Sequence, residues 1–336
     1  MNEDERRSTA AKGEPIPRPP WRLVSGASAA LILVIEFAFF ALVLAPHDGR
    51  PNPFANFANI ALILKYSSIY GIGAIGAALI IGAGGIDLAP GSVIALASVI
   101  TGELFVVGGW SLPAAVAAGL LTGLLTGGVA AALVVRAQLP PFIASLGTMG
   151  MARGAAFVIT EGKFYDLSGH LPASFAPLGI ALGLWPGVLM FVAAVIFHVV
   201  LRHTALGRHM LAVGGNETAA RYAGVRVDRV KLFVYVAGGG LSALAGVVLA
   251  VVQGQGKADL ATGYELDIIA AAVIGGASLS GGRASVVGAV LGSLIFGVLR
   301  NALPQIPGGT YADRLIIGVA VVLIAVMDRL AARQPR

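Results

Sequence analysis

The chain has 336 residues, 57% of them hydrophobic and only 12% charged, with a mean hydropathy of +0.85. Soluble domains carry about 25% charged residues, so an ordinary cytosolic enzyme is excluded, as is a disordered chain, which needs low hydrophobicity. There is no cysteine and the net charge is +6, which removes disulfide frameworks, thiolate zinc sites and cysteine nucleophiles and leaves the basic residues to be explained by their placement.

The 46 glycines are about twice the usual share of roughly 7% and follow no triplet period. In so apolar a chain they point to closely packed membrane helices, that is, to an all-α polytopic membrane protein. Residues 1–22 are charged and proline-rich and read as a disordered tail. The run 23–45 is long enough to span and meets Pro46 where a cleavage site would need small residues, so it reads as a retained first helix. A span takes about 20 apolar residues. Further apolar stretches fall at 57–82, 91–108, 112–135, 140–160, 187–202, 231–253, 264–279, 284–303 and 314–330. With the first they make about ten transmembrane helices, or eight to ten because several are short or broken by glycine. The membrane domain then covers 23–330, with a polar loop at 203–230 and a short tail at 331–336.

With the N-terminus placed inside, sixteen of the 23 Lys and Arg fall on the inner side. Five fall outside (Arg50, Lys163, Lys257, Arg300 and Arg314), and Lys65 and Arg153 lie within spans. This bias predicts cytoplasmic termini and explains the basic balance by contact with anionic lipid, without nucleic acid.

Three patterns resemble chemistry without its context. Gly71-Ile-Gly73-Ala-Ile-Gly76 fits a dinucleotide fingerprint but lies inside an apolar run, with no preceding strand. Leu279-Ser-Gly-Gly282 is an ATPase-like signature, yet neither Gly162-Lys163 nor Gly256-Lys257 continues with Ser or Thr as a Walker A loop requires; it reads as a membrane hairpin. The histidines form no H-E-x-x-H, and no G-x-S-x-G elbow occurs. No catalytic residue and no metal site are predicted.

Four features carry information. Gly84-Gly-Ile-Asp-Leu-Ala-Pro-Gly-Ser92 separates two apolar runs and puts Asp87 at or near the membrane. A carboxylate there is costly without a partner or water, and the break is tolerated where backbone is buried in protein or lines a cavity. Two readings stand: a tight cytoplasmic hairpin in which Asp87 caps the next helix, or a broken helix on a solute path through Gly85, Asp87, Gly91 and Ser92. Gly275–Gly282 echoes this segment and hints at an internal repeat. Second, Pro140-Pro141 suits the start of a helix and puts Arg153 about two turns into the bilayer, facing the bundle interior. An ion pair or backbone contact is favoured there over substrate binding. Third, in the inner loop His203–Arg229, Asn216 is a good N-cap and Glu217 complements the positive helix end. Glu217 also pairs at i, i+4 with Arg221, and Gly224 suits a left-handed stop. The result is a surface helix of about seven residues, too short to be stable alone: an ordinary charged loop helix, or a handle for a cytoplasmic partner. Fourth, Gly119, Gly123 and Gly127, and Gly288 and Gly292, form ridges for close helix packing.

GGIDLAPGS (84–92), PPFIASLGTMGMARG (140–154), GRHMLAVGGNETAARYAGV (207–225) and GYELDIIAAAVIGGASLSGG (263–282) agree in order and spacing with one family. The chain, over about residues 55–330, resembles the ribose-type integral membrane permeases of bacterial ABC importers for monosaccharides. It departs from the pattern at Ala89-Pro90, where Ser-Val is usual. The resemblance implies a bacterial inner-membrane protein that works by alternating access as a homodimer or heterodimer. It implies a separate cytoplasmic ATPase that holds ATP-Mg, a periplasmic sugar-binding protein, no cofactor on this chain and no enzymatic activity of its own. By position it makes Asn216–Gly224, with Glu217, Ala220 and Arg221, the coupling helix that docks in the ATPase. The outer segment Glu161–Trp185, with Pro172 and Pro177, is a candidate surface for the binding protein. The alternatives are an ABC permease for a nucleoside or other small polar solute, and an ion-driven carrier using Asp87, Glu265 and Asp267.

Overall fold

Long apolar runs become helices here, and glycine–proline breaks decide where the helices stop. The computed structural model describes residues 26–46, 52–171 and 184–306, with residues 308, 309, 315, 318, 319 and 322. The expected tails 1–22 and 331–336, most of the predicted span 314–330, and Arg50, Pro172 and Pro177 lie outside the described residues.

The first described helix is α1 (Gly26–Val43). The Asn56 side chain accepts from the Asn59 N–H at 2.8 Å and starts α2 (Phe57–Gly82). Then come α3 (Pro90–Gly102), prolonged by a π-helical turn over Glu103–Val107, α4 (Leu112–Val135) and α5 (Pro141–Thr160). Pro141 opens α5, where its missing N–H would be unpaired anyway. The second half contains α6 (Trp185–His203), α7 (Ala205–Gly215), α8 (Glu217–Tyr222), α9 (Val227–Gln253), α10 (Tyr264–Ile274) and α11 (Val286–Ala302). Among the described residues seven helices, α2 to α6, α9 and α11, are long and apolar enough to cross a membrane. The chain is an all-α polytopic membrane protein with one small addition. Strands β1 (Phe164–Asp166) and β2 (Gln255–Lys257) form an antiparallel ribbon with Tyr165 opposite Gly256.

The predicted stretch 264–279 forms only the eleven-residue α10. Gly275 and Gly276 stop it, the latter at φ +97°. An eleven-residue helix rises about 16 Å, short of a bilayer core of about 30 Å.

Two long helices, α2 and α9, form the centre, and close approach of glycine sets the packing around them. A Cβ at Gly76 of α2 would stand 3.0 Å from the Gly238 Cα of α9. Within the predicted ridge, Gly123 and Gly127 let α4 lie on α9, where side chains would collide with Gly239 and Tyr235, and Gly119 makes room for Thr101 of α3. Gly288 and Gly292 of α11 close in the same way on Gly275 and on Ala271 of α10. Gly71, Gly73 and Gly76 belong to the continuous, buried α2, so the apparent dinucleotide fingerprint is a packing surface.

The order long helix, break, short helix, long helix occurs twice, as α2–α3–α4 and as α9–α10–α11. α2 packs on α11 as α9 packs on α4; α9 packs on α3 as α2 packs on α10; α3 packs on α4 as α10 packs on α11. α2 and α9 are antiparallel, since Gly85, just past the end of α2, lies against Tyr235 near the start of α9. The two halves are therefore inverted copies of one arrangement. The counterpart of the break 83–89 is 254–263, not the glycine-rich 275–282 that echoes its composition. One end of the bundle carries α7 and α8; the other carries the β-ribbon.

Candidate functional site

The coupling segment predicted from sequence is a six-residue helix with both ends capped. The Asn216 side chain accepts from the Ala219 N–H at 2.9 Å. At the other end Gly224 sits at φ +82°. Its N–H donates to Arg221 O, and that of Val225 to Ala220 O, both at 3.0 Å, the Schellman pattern that favours glycine. Ala220 is buried against the bundle, whereas Tyr222 is 89% exposed. Glu217 accepts from Arg221 at 3.4 Å and from Lys231 of α9 at 2.8 Å. Arg221 also reaches Asp228 at 3.4 Å. Partial burial opposes ionisation of Glu217, but the hydrogen bond and charge of Lys231, then those of Arg221, outweigh it and hold its pKa below the ordinary carboxylate value.

Behind α8 three glycine segments meet backbone to backbone. The Gly282 N–H donates to Gly82 O at 3.1 Å. A Cβ at Gly214, near the end of α7, would collide with Gly82 O and lie 2.6 Å from Gly282 N. A Cβ at Gly281 would meet Gly214 and lie 3.0 Å from the Gly84 Cα. The segment leading into α8 is thus wedged between the loop that ends α2 and the loop that opens α11. Two cavities flank the junction. A groove of about 360 Å³ lies between α8 and the α4–α5 turn, walled by Gln138, Pro141, Arg221 and Asp228. A second cavity of about 330 Å³ reaches Gly85, Asn216, Tyr235 and Ser280. Glu217 and Lys231 line both.

Gly85 and Asp87 lie in the break between α2 and α3, and Gly91 and Ser92 in the first turn of α3. Asp87 is 8% exposed and accepts from the Ala89 N–H at 2.8 Å, a turn contact two residues on that leaves α3 without a side-chain cap. The break is not a simple surface hairpin, however. α3 starts beside the start of α10: a Cβ at Gly91 would collide with the Glu265 carboxylate and lie 2.6 Å from Ala261 O. The two short helices therefore begin together in the interior and run to opposite ends of the bundle. Ser92 Oγ is buried there without a hydrogen-bond partner. Arg153 lies more than three turns into α5, deeper than predicted, and makes the backbone contact. Its guanidinium donates to Ala258 O at 2.5 Å and Leu260 O at 2.8 Å, close to the charges of Glu265 and Asp259. It fixes the break 254–263 and does not touch Asp87.

Sequence reasoning missed two features. Arg300, counted as an outer-face charge, is in the last turn of α11 and donates to Asp267 of α10 at 2.7 Å. Its guanidinium also stands 5.6 Å from the Tyr70 ring, which packs on Tyr264. The available signal was a lone arginine in one apolar run and two carboxylates, Glu265 and Asp267, in the run before it. The second feature is the ribbon, with no local signature in FYD or QGK. At its edge, burial and then a hydrogen bond with Glu103 push Tyr165 up to about 12.

An inverted pair of helix–break–helix units, with breaks meeting in the interior and a charged helix on one end, defines a multi-pass membrane permease. The chain belongs to the family described as branched-chain amino acid transport system/permease component, which matches residues 59–326. It is 36% identical to the ribose import permease protein RbsC of Escherichia coli (strain K12) over 299 residues, 87% of this chain and 91% of that one. It is 36% identical to RbsC of Bacillus subtilis (strain 168), with 86% and 90% covered. With the L-arabinose transport system permease protein AraH of Escherichia coli (strain K12) it shares 37% identity, with 89% and 90% covered. No solved structure matches it.

Proposed function

We propose that this chain is the membrane-spanning subunit of a bacterial importer that carries a monosaccharide through the inner membrane, driven by ATP hydrolysis on a separate subunit. Identity to the ribose import permease over 87% of the chain carries this reading. The α8 end faces the cytoplasm, because Arg136, Arg202, Arg208, Arg226 and Arg229 gather there. The termini 1–22 and 331–336 lie on that side, and the ribbon faces the periplasm. Two copies, alike or paired with a relative, enclose the sugar path. The ATPase, which holds ATP-Mg, grips α8 through Tyr222 and the face bearing Glu217 and Arg221. A periplasmic binding protein delivers the sugar at the ribbon end.

The geometry supports a mechanical mechanism. Closure of the ATPase pair displaces α8, and the glycine junction passes that displacement to the loops ending α2 and opening α11. The inverted halves then rock about α2 and α9, exposing the interior to one face at a time. An ion-driven carrier needs carboxylates that bind and release a cation, whereas Asp267 is engaged by Arg300 at 2.7 Å. The deciding experiment is uptake in proteoliposomes holding this chain, its ATPase and its binding protein. Sugar accumulation that needs internal ATP supports the proposal. Accumulation driven by a sodium or proton gradient, without the ATPase, overturns it.

A further inference from the structure

The bundle leaves the outer face of α6, and the corner after it, uncovered. Trp185 opens the helix, an aromatic of the kind favoured at a membrane interface. The 19 residues of α6 rise about 28 Å, close to the bilayer hydrocarbon thickness of about 30 Å. Val188, Val192, Val195 and Val199 are between 46% and 57% exposed, and their spacing of four, three and four residues puts them on one helix face. Three residues further on, that face carries Arg202, exposed and in the last turn. The apolar stripe therefore ends on a cation at headgroup depth. The corner brings up a second cation. Thr204 Oγ1 donates to Val200 O at 2.6 Å and accepts from the Gly207 N–H at 3.2 Å. A Cβ at Gly207 would collide with Leu201 O, so the first turn of α7 lies on the last turn of α6. Gly207, Met210 and Val213 face the bundle, while Arg208 and His209 are exposed, as are Arg202 and His203. Among the described residues no carboxylate pairs with Arg202 or Arg208. Glu217 and Asp228, at this end, are engaged by Lys231 and Arg221.

We propose that the α6–α7 corner binds the headgroup of one anionic phospholipid, with an acyl chain lying along the valine stripe. Basic groups between membrane helices suit such headgroups, and a guanidinium can give two parallel hydrogen bonds to one phosphate. A zwitterionic lipid brings its own ammonium, which competes for that phosphate. A soluble anion would use the arginines and leave the valines uncovered, and a cytoplasmic protein would not reach below headgroup depth to cover them. Only a lipid matches both parts of the surface at once. α7 leads directly into Asn216 and α8, so a lipid holding its first turn also steadies the seat of α8. The site is independent of which solute the permease carries.

The test is native mass spectrometry of the purified full-length permease, with phosphatidylglycerol and phosphatidylethanolamine of equal chain length as probes. Phosphatidylglycerol is expected to stay bound and phosphatidylethanolamine to be lost. Arg202→Gln with Arg208→Gln is expected to lower retention about tenfold or more, since each basic residue at an anionic surface contributes a factor of about five. Arg202→Lys with Arg208→Lys should keep part of it, because charge remains without the planar fork. Arg226→Gln with Arg229→Gln removes the same charge from the start of α9 and should leave retention unchanged. Inorganic phosphate should not displace the lipid. Equal retention of both lipids, no loss in the Arg202/Arg208 variant, or an equal loss in the Arg226/Arg229 variant overturns the site. Displacement by phosphate assigns the corner to a soluble anion and also overturns it. Capture of the ATPase is measured on the same variants in zwitterionic lipid. A loss there confined to the Arg202/Arg208 variant makes the corner a protein contact and overturns the lipid site, while the proposed function stands.

Discussion

Lys231 Nζ stands 2.8 Å from Glu217 Oε2, and only 20% of the Lys231 side chain is exposed. The six-residue α8 is therefore tied to the start of the 27-residue α9, and the Arg221–Asp228 contact at 3.4 Å adds a second tie. Surface ion pairs contribute only about 0–1 kcal/mol each to folding. Glu217→Ala with Arg221→Ala is thus expected to leave membrane insertion intact and thermal stability within about 1 kcal/mol. ATP-driven uptake should fall about tenfold or more, as truncation of an interface anchor costs about 2 kcal/mol. Uptake and detergent-phase melting curves of the double variant check both parts.

The pH dependence of this attachment follows from the sign of the Glu217 shift. Its folded pKa lies below the ordinary value, so the pair with Lys231 stabilises α8 fully above the unfolded carboxylate pKa of about 4.3. The contribution is lost as pH falls through the lower, folded value. Capture of the permease by its ATPase should be flat between about pH 6 and 8 and weaken only below about pH 4. Binding measured across that range checks it, with Glu217→Gln showing the weakened level throughout.

Asp267 is 2% exposed, and Arg300 pairs with it inside the bundle. Removing one member of such a pair costs about 3–5 kcal/mol, while replacing both by apolar groups is often close to neutral. Asp267→Asn is expected to lower stability by about that amount, and Asp267→Leu with Arg300→Met to recover most of it. Thermal unfolding of the three proteins in one detergent decides the matter.

Arg153 holds two carbonyls of the break between β2 and α10. Hydrogen bonds from a charged group contribute about 1.5–3 kcal/mol. Arg153→Ala should release residues 254–263, seen as hydrogen exchange there at least about tenfold faster, with α9 itself unchanged. Arg153→Lys should restore part of the protection, because an ammonium keeps the charge but lacks the planar fork.

The long helices were legible because apolar composition and length are local properties. The run 57–82 matches α2 residue for residue, and 112–135 matches α4. The caps of α8 were equally plain, since Asn216 and Gly224 act on neighbours within a few residues. What composition hid was partnership across the chain. Tyr165 meets Gly256, and Arg300 meets Asp267, only after the inverted halves come together. The echo between 84–92 and 275–282 was real as composition but misleading as symmetry. Both segments are glycine-rich because they enter the same junction, while the structural counterpart of 83–89 is the quite different QGQGKADLATG stretch at 253–263.

The junction itself bears on how force travels. A side chain can change rotamer and absorb a push; three main chains in van der Waals contact have no such slack, and a densely filled interior transmits strain. Gly82, Gly84, Gly214, Gly281 and Gly282 thus act less as flexible points than as the bare faces of a bearing. Under the proposed mechanism, a single methyl group there would work as a shim, leaving the motor free to turn while the pore stays still.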